Sequence, residues 1–280
     1  MSTPRGFSAW QIIEGGQPTF MVGCSEPVDC HLYSGKTHNL ETPAALLSGI
    51  GVNIAFAPSS NFGTQILNRG RFTHSSVFNG VHFHFAPESP GEGMVDLRIG
   101  EAGIYTAMGC PMIVATLAGN LAWAHAGRDC LFDRGFIDTQ VSSRAHPSVV
   151  SRLLNSLDPL AKNRDDVRVW VFYSIKPTDF SHDFNHPQHG PFNKRFLDYL
   201  GTRGYPESTA FTSGCWHTSP EGLHLDLPKI IEVQCRDQGV KPGNMHLGAY
   251  SYLLDTLPTT KKPGDDPNKR NYIVVVTRLL

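Results

Sequence analysis

Short apolar runs, not long amphipathic stretches, set the rhythm of this chain. Val167-Arg-Val-Trp-Val-Phe-Tyr-Ser-Ile predicts a strand by its alternation. Asn271-Tyr-Ile-Val-Val-Val-Thr-Arg predicts a buried strand near the end of the sequence. Further strands are expected within residues 1–45, where Thr19-Phe-Met-Val-Gly is one of two or three, and over 51–57, 95–99 and 103–108. Residues 71–80 read as a strand that ends in an Asn-Gly turn, and Val81-His-Phe-His-Phe places His82 and His84 on one strand face. Helical spacing is confined to three places. A short helix should follow Thr42-Pro43, with Thr42 as cap and Gly49 and Gly51 as its end. Residues 148–157 have a 3.6-residue period with Ser148 near the cap. Residues 226–239 form the best-marked helix, with Asp226 as cap, Pro228 in the first turn and Gly239 past the end. Residues 58–63, 86–94 and 259–268 read as loops.

The most informative stretch is 108–127. Pro111 to Leu117 is apolar, Ala118-Gly119-Asn120 is turn chemistry, and Leu121 to Ala126 is apolar again, so the stretch predicts a hairpin covered on both faces. Cys110 stands at its entry and His125 near its exit. A thiol beside an imidazole is either a Cys–His nucleophile pair or two ligands of a zinc ion. The bland alternative is a buried Cys and a hydrogen-bonded His in a core hairpin. With Gly119-Asn120 as the two-residue loop, His125 faces Val114, roughly 13 Å from Cys110 at about 3.3 Å per residue. Contact then requires a bend at Gly109-Cys110-Pro111 or a shift of register.

Composition narrows the class. The sequence has 280 residues, 40% hydrophobic and 18% charged, with 27 glycines and 20 prolines. That predicts a β-rich α+β domain with long loops; neither an internal repeat nor a linker divides it. A net charge of −1 gives no electrostatic case for nucleic acid or an anionic membrane. No stretch reaches the ~20 apolar residues of a spanning helix. The start lacks a signal-peptide core, so a cytoplasmic setting is expected, export by a dedicated secretion system aside. Six cysteines without a Cys-x-x-Cys pair fit neither a disulfide framework nor a four-cysteine zinc site. Cys24, Cys30, His31 and His38 read as loop residues. His82 and His84 offer a metal-binding His-x-His pair or two outward histidines. His182, His186 and His189 read as solvated loop residues that could border a cleft.

Three stretches resemble motifs of the bacterial laccase-domain family, the YfiH-like proteins once called multicopper polyphenol oxidoreductases. They are Phe72-Thr-His74-Ser-Ser-Val, Met108-Gly-Cys110-Pro and Ala124-His125-Ala-Gly127-Arg128. The resemblance runs weakly from about residue 45 onward; residues 1–45 are divergent. It implies one laccase-domain-like catalytic domain over 1–280, α+β, with mixed central sheets and flanking helices. It also implies His74, Cys110 and His125 as ligands of one zinc, copper being less favoured. Family members are associated with purine nucleoside phosphorolysis and deamination. The chain departs from them at Gly109, where the family has Asp, and in lacking the Trp of the histidine turn. More distantly, the Gly-Cys, hairpin and His-x-Gly pattern is similar to the catalytic domains of cytotoxic necrotizing factor toxins, which deamidate a glutamine with a Cys–His pair.

These residues support alternative chemistries. In the first, zinc-bound hydroxide or zinc-activated phosphate acts at a C–N bond of a small nitrogenous substrate, a nucleoside in the family's case. In the second, Cys110 attacks a carboxamide carbon and His125 serves as base without a metal. A third reading is a silent binding module on the same scaffold. Arg128 and Asp129, just past the histidine turn, and Arg71 are the expected substrate contacts. His74 separates the two mechanisms, because only the zinc chemistry needs it.

Overall fold

A computed structural model describes residues 4–14, 18–25, 40–107, 109–132, 135, 137, 148–158, 164–209, 213–247 and 270–277. The expected strand-rich pattern resolves into two large mixed sheets and a small one. The seven-stranded sheet has the order β1 (Phe7–Ile13), β2 (Phe20–Ser25), β16 (Asn271–Thr277), β8 (Glu101–Ala107), β3 (Ile54–Ala57), β6 (Val81–Phe85), β5 (His74–Phe78). The six-stranded sheet runs β15 (Met245–His246), β11 (Arg168–Phe172), β9 (Met112–Leu117), β10 (Asn120–His125), β7 (Gly93–Val95), β4 (Ile66–Leu67). Strands β12 (Ser181–His182), β14 (Gly222–Leu225) and β13 (Trp216–Ser219) make the third.

The two large sheets face each other, and their inner side chains form the main core. Phe20 of β2 meets Trp170 of β11 edge-on at 5.2 Å, and the Tyr173 hydroxyl donates to the Val22 carbonyl at 2.9 Å. The sheets approach closely where Gly103 of β8 lies over Trp123 of β10. A Cβ at 103 would lie 2.1 Å from the indole, so only glycine lets the fully buried Trp123 fill this space. The outer face of the seven-stranded sheet is covered by α1 (Glu41–Gly49) through Ala44, Leu46 and Leu47. The outer face of the six-stranded sheet is covered by α3 (Val149–Leu157), on which α5 (Leu227–Asp237) packs. Helix α2 (Arg128–Leu131) is a single turn, and α4 (Gly190–Thr202) is a further helix among the described residues.

Several expected caps are present. Ser148 and Ser151 form a reciprocal capping box on α3, and the Asp226 carboxylate accepts the Lys229 N–H of α5 at 3.0 Å. Asn79-Gly80 forms the β5–β6 turn with both residues at positive φ. Other expectations need correction. Helix α1 starts at Glu41, ahead of Thr42, with Leu40 in the cap position. Cys24 is a buried strand residue, not a loop residue. The strand expected at 95–99 is instead β7, which stops before Asp96 turns into the left-handed region. His182 belongs to the short β12, and α4 was not foreshadowed. Cys30, His31, His38 and the 259–268 loop lie outside the described residues.

The decisive difference lies in the central hairpin. Its two-residue loop is Ala118-Gly119, with φ of 50° and 87°, one residue earlier than Gly119-Asn120. Asn120 therefore pairs with Leu117, and His125 lies opposite Met112. A one-residue shift of the turn moves the pairing by two positions and carries His125 towards Cys110.

Candidate active site

The end of β10 is held from both sides. On one side the His125 N–H donates to the Glu92 carbonyl at 2.8 Å. On the other the Ala126 N–H donates to the Pro111 carbonyl at 2.9 Å. These bonds place His125 between Glu92, at the head of β7, and Cys110, at the bend joining β8 to β9. Gly109, at φ +100°, makes that bend, and its carbonyl accepts the Ile175 N–H at 3.0 Å.

The side chains complete the arrangement. His125 Nδ1 lies 2.9 Å from Glu92 Oε2, and a carboxylate can only accept, so the ring donates. Glu92 also accepts the Ser60 hydroxyl at 2.7 Å, the Asn61 N–H at 3.1 Å and the Gly63 N–H at 3.0 Å. Cys110 Sγ lies towards the Nε2–Cε1 edge of the ring, where both approach Gly127. Gly127 packs there: a Cβ at 127 would be 3.3 Å from Cys110 Sγ and 3.4 Å from His125 Nε2. The small residue keeps open the space between thiol and imidazole. Tyr105 lies against the imidazole, ring centroids 5.1 Å apart, and its hydroxyl donates to the Cys110 carbonyl at 3.2 Å. Cys130 Sγ is 3.7 Å from His125 Nδ1.

Burial sharpens the electrostatics. Glu92 and His125 are buried, whereas Cys110 is partly accessible. Burial pushes the Glu92 carboxyl up, but the hydrogen bond and charge of His125, with Ser60 and Gly63, hold it below its ordinary value. Burial pushes the imidazolium down. The neighbouring Cys130 sulfur, the ring's interactions with both cysteines and its bond to the Glu92 carboxylate outweigh it and raise His125 well above its ordinary value. Burial pushes the Cys130 thiol up to about 12, so it stays protonated at neutral pH.

Loop residues 59–63 follow β3 and carry Phe62 out beside the site. Phe62 is 53% exposed, has φ +58°, and lies 6.4 Å from the His125 ring between centroids. A left-handed phenylalanine costs on the order of 1–3 kcal/mol and persists only where its surroundings fix it. Here the flanking Asn61 and Gly63 N–H groups are tied to Glu92.

Of the residues expected from sequence, Cys110 and His125 come together. His74 is exposed on the edge strand β5, with Nδ1 3.0 Å from Thr73 Oγ1. Three strand spacings separate β5 from β8, about 14 Å at ~4.8 Å each. Among the described residues, the His, Cys and acidic side chains whose ligand atoms lie mutually within 4.8 Å are Glu92, His125 and Cys130, without His74. Arg128 donates to Asp129 at 2.7 Å, to Asn193 at 3.0 Å and to His182 Nδ1 at 3.1 Å, so it ties the histidine turn to α4. Arg71 lines a separate cleft of about 610 Å³ with Gln65, Asn68 and Arg152. His84 stacks on Phe56 and His82 is exposed. His186 stacks on His189.

Three solved structures share this architecture. They are the hypothetical protein YfiH of Bacillus licheniformis, the protein NMB0706 of Neisseria meningitidis and YlmD of Geobacillus stearothermophilus. The first is 11% identical, covers 95% of this chain and 99% of its own, and has a TM-score of 0.58. The second is 12% identical over 96% and 99%, with a TM-score of 0.60. The third is 17% identical over 99% and 100%, with a TM-score of 0.58. The fold is that of the YfiH-like proteins. The laccase-domain resemblance of the sequence thus holds for the architecture. No family model and no curated protein matches the chain. The YfiH-like fold and the buried Glu–His–Cys group are together compatible with a metal-binding enzyme. No helix among the described residues is long and apolar enough to cross a membrane.

The donor atoms allow a test of metal fit. Sulfur, imidazole and carboxylate are a chemically sound zinc set. Yet His125 Nδ1 and Glu92 Oε2 are already bonded to each other, and all three side chains of that group are buried, which leaves no open position for catalysis. The carboxylate–imidazole pair would suit a metal held at Nε2 with Cys110. His74 does not join that edge of the ring.

Proposed function

We propose that this chain is a thiol-dependent amidohydrolase of the deamidase type, with Cys110 as nucleophile, His125 as general base and acid, and Glu92 as the residue that orients His125. One observation carries this reading. The imidazole is gripped by a buried carboxylate at Nδ1, while its Nε2–Cε1 edge and a partly accessible thiol converge at Gly127. This is the nucleophile–base–orienter relation of acyl-transfer enzymes.

The chemistry follows from the geometry. Glu92 fixes the tautomer with the proton on Nδ1, which leaves Nε2 basic and aimed at Cys110. The raised basicity of His125 lets Nε2 take the thiol proton first, and the resulting thiolate attacks the carboxamide carbon while backbone N–H groups stabilise the oxyanion. The C–N bond breaks, the leaving nitrogen takes the proton from Nε2, and ammonia departs. Water then gives a proton to Nε2 and attacks the thioester, releasing a carboxylate and restoring the thiol. The balance is carboxamide plus water to carboxylate plus ammonium.

Zinc chemistry on a purine nucleoside, with His74, Cys110 and His125 as ligands, is the second reading. The Glu92–His125 pair favours it, because ligating histidines commonly donate their other N–H to a carboxylate. The discriminating assay is ammonia release from glutamine-bearing peptides and from adenosine by wild type, Cys110→Ala and His74→Ala. Amidohydrolase chemistry predicts glutamine turnover that is lost in Cys110→Ala and kept in His74→Ala. Adenosine turnover lost in both variants would establish the zinc reading instead.

A further inference from the structure

The same site carries a residue that the acyl-transfer chemistry does not use. Phe62 stands half-exposed beside the imidazole in a backbone conformation that phenylalanine rarely adopts. Its loop is not loose. Glu92 accepts from the N–H groups on either side of Phe62 and from the Ser60 hydroxyl, and the Ser59 carbonyl accepts the Gly91 N–H at 3.0 Å. The carboxylate that orients His125 therefore also sets where the Phe62 ring stands. Holding a large apolar ring towards solvent in a left-handed conformation opposes stability, so a compensating role at the site is the physical expectation.

We infer that Phe62 is a substrate-contacting, specificity-determining residue: it forms an apolar wall beside the His125 imidazole that selects carboxamides carried on an apolar stem. This inference rests on the thiol reading of the site. The ring would cover the stem carbons next to the reacting carbonyl, leaving the carboxamide itself to Cys110 and His125.

The test compares two alkylating reagents with one reactive group, iodoacetamide and N-benzyl-iodoacetamide. Rates are read by mass spectrometry on the peptide carrying Cys110, in wild type, Phe62→Asn and Phe62→Trp. Asparagine tolerates the left-handed backbone, so Phe62→Asn removes the ring without disturbing the loop. The benzyl-to-plain rate ratio should fall about threefold to tenfold in Phe62→Asn and persist in Phe62→Trp, the size of one aromatic contact. The plain iodoacetamide rate should match wild type, and the thermal midpoint should be no lower than wild type. An unchanged ratio in Phe62→Asn overturns the assignment of Phe62 while leaving the thiol reading intact. Equal slowing of both reagents overturns it in favour of a role exercised through Glu92. Absence of Cys110 labelling in wild type overturns the thiol reading and the Phe62 assignment together.

Discussion

Gly127→Ala isolates the space between thiol and imidazole. Gly127 has φ −72° and ψ 169°, ordinary for alanine, so the substitution carries no backbone strain. The added methyl carbon would lie 3.2 Å from His125 Cε1, 3.3 Å from Cys110 Sγ and 3.4 Å from His125 Nε2. The first two contacts are a few tenths of an ångström too close, and neither partner can yield freely. His125 is pinned by Glu92, and Cys110 sits in a bend anchored by the Gly109 carbonyl and the Tyr105 hydroxyl. Overpacking costs about 1–3 kcal/mol and the loss of unfolded-chain freedom returns about 0.4–1 kcal/mol. The net change is at most about 2–3 kcal/mol, or roughly 4–12 °C in melting temperature at ~2–4 °C per kcal/mol. Reactivity should fall as well. A displacement near 1 Å between reacting groups costs about a hundredfold, so the few tenths imposed here should cost roughly threefold to tenfold. Iodoacetamide labelling of Cys110 and substrate turnover should both drop by about that factor in a protein that still folds. Wild-type labelling in a folded Gly127→Ala protein would refute the placement of the thiol against the imidazole.

Other outcomes follow from the same contacts. Glu92→Gln removes a charge whose folded-state pKa is depressed and which raises that of His125. The Glu92 contribution is present above its ordinary value of 4.5 and is lost as pH falls through its lowered one. The His125 contribution is complete below its ordinary value of 6.5 and is lost as pH rises through its raised one. Thermal melts from pH 4 to 10 should therefore show wild type leading Glu92→Gln most between about pH 4.5 and 6.5, by about 1–3 kcal/mol. A lead that is flat across this range contradicts the ion pair. Gly103→Ala drives a methyl into Trp123 and should cost about 3 kcal/mol, a fall of roughly 6–12 °C, with Cys110 labelling unchanged once the protein is folded. A neutral Gly103→Ala would mean that the sheets do not meet there. Tyr105→Phe should slow Cys110 labelling a few-fold by freeing the Cys110 carbonyl, at a stability cost near 1 kcal/mol.

The sequence carried the fold class and pointed to two residues that the fold brings together. Alternating and β-branched runs mark the strands because each buries a face, and caps such as Ser148 and Asp226 mark helix starts locally. Cys110 and His125 were recognisable as a pair because they flank one hairpin. Whether they meet depended on a single residue of register, and the left-handed Ala118 that sets it is not what turn preferences favour. Glu92 was invisible for another reason. An acid between Gly91 and Gly93 reads as a turn residue, and its role arises only when β7 pairs with β10 and lifts it beside His125. Cys130, Tyr105 and Phe62 reach the imidazole from α2, β8 and the 59–63 loop, contacts that no local pattern encodes. His74 shows the converse. Its order along the chain matches a family motif, yet it stands on an edge strand apart from the Glu92–His125–Cys130 group.

The most direct measurement is metal content together with Cys110 labelling on untagged wild type and His74→Ala, before and after chelation. Thiol chemistry predicts that Cys110 is labelled at the same rate in all four samples, with no stoichiometric metal that His74→Ala removes. About one zinc per chain that protects Cys110 from labelling and is lost in His74→Ala would contradict this account and establish the three-ligand site.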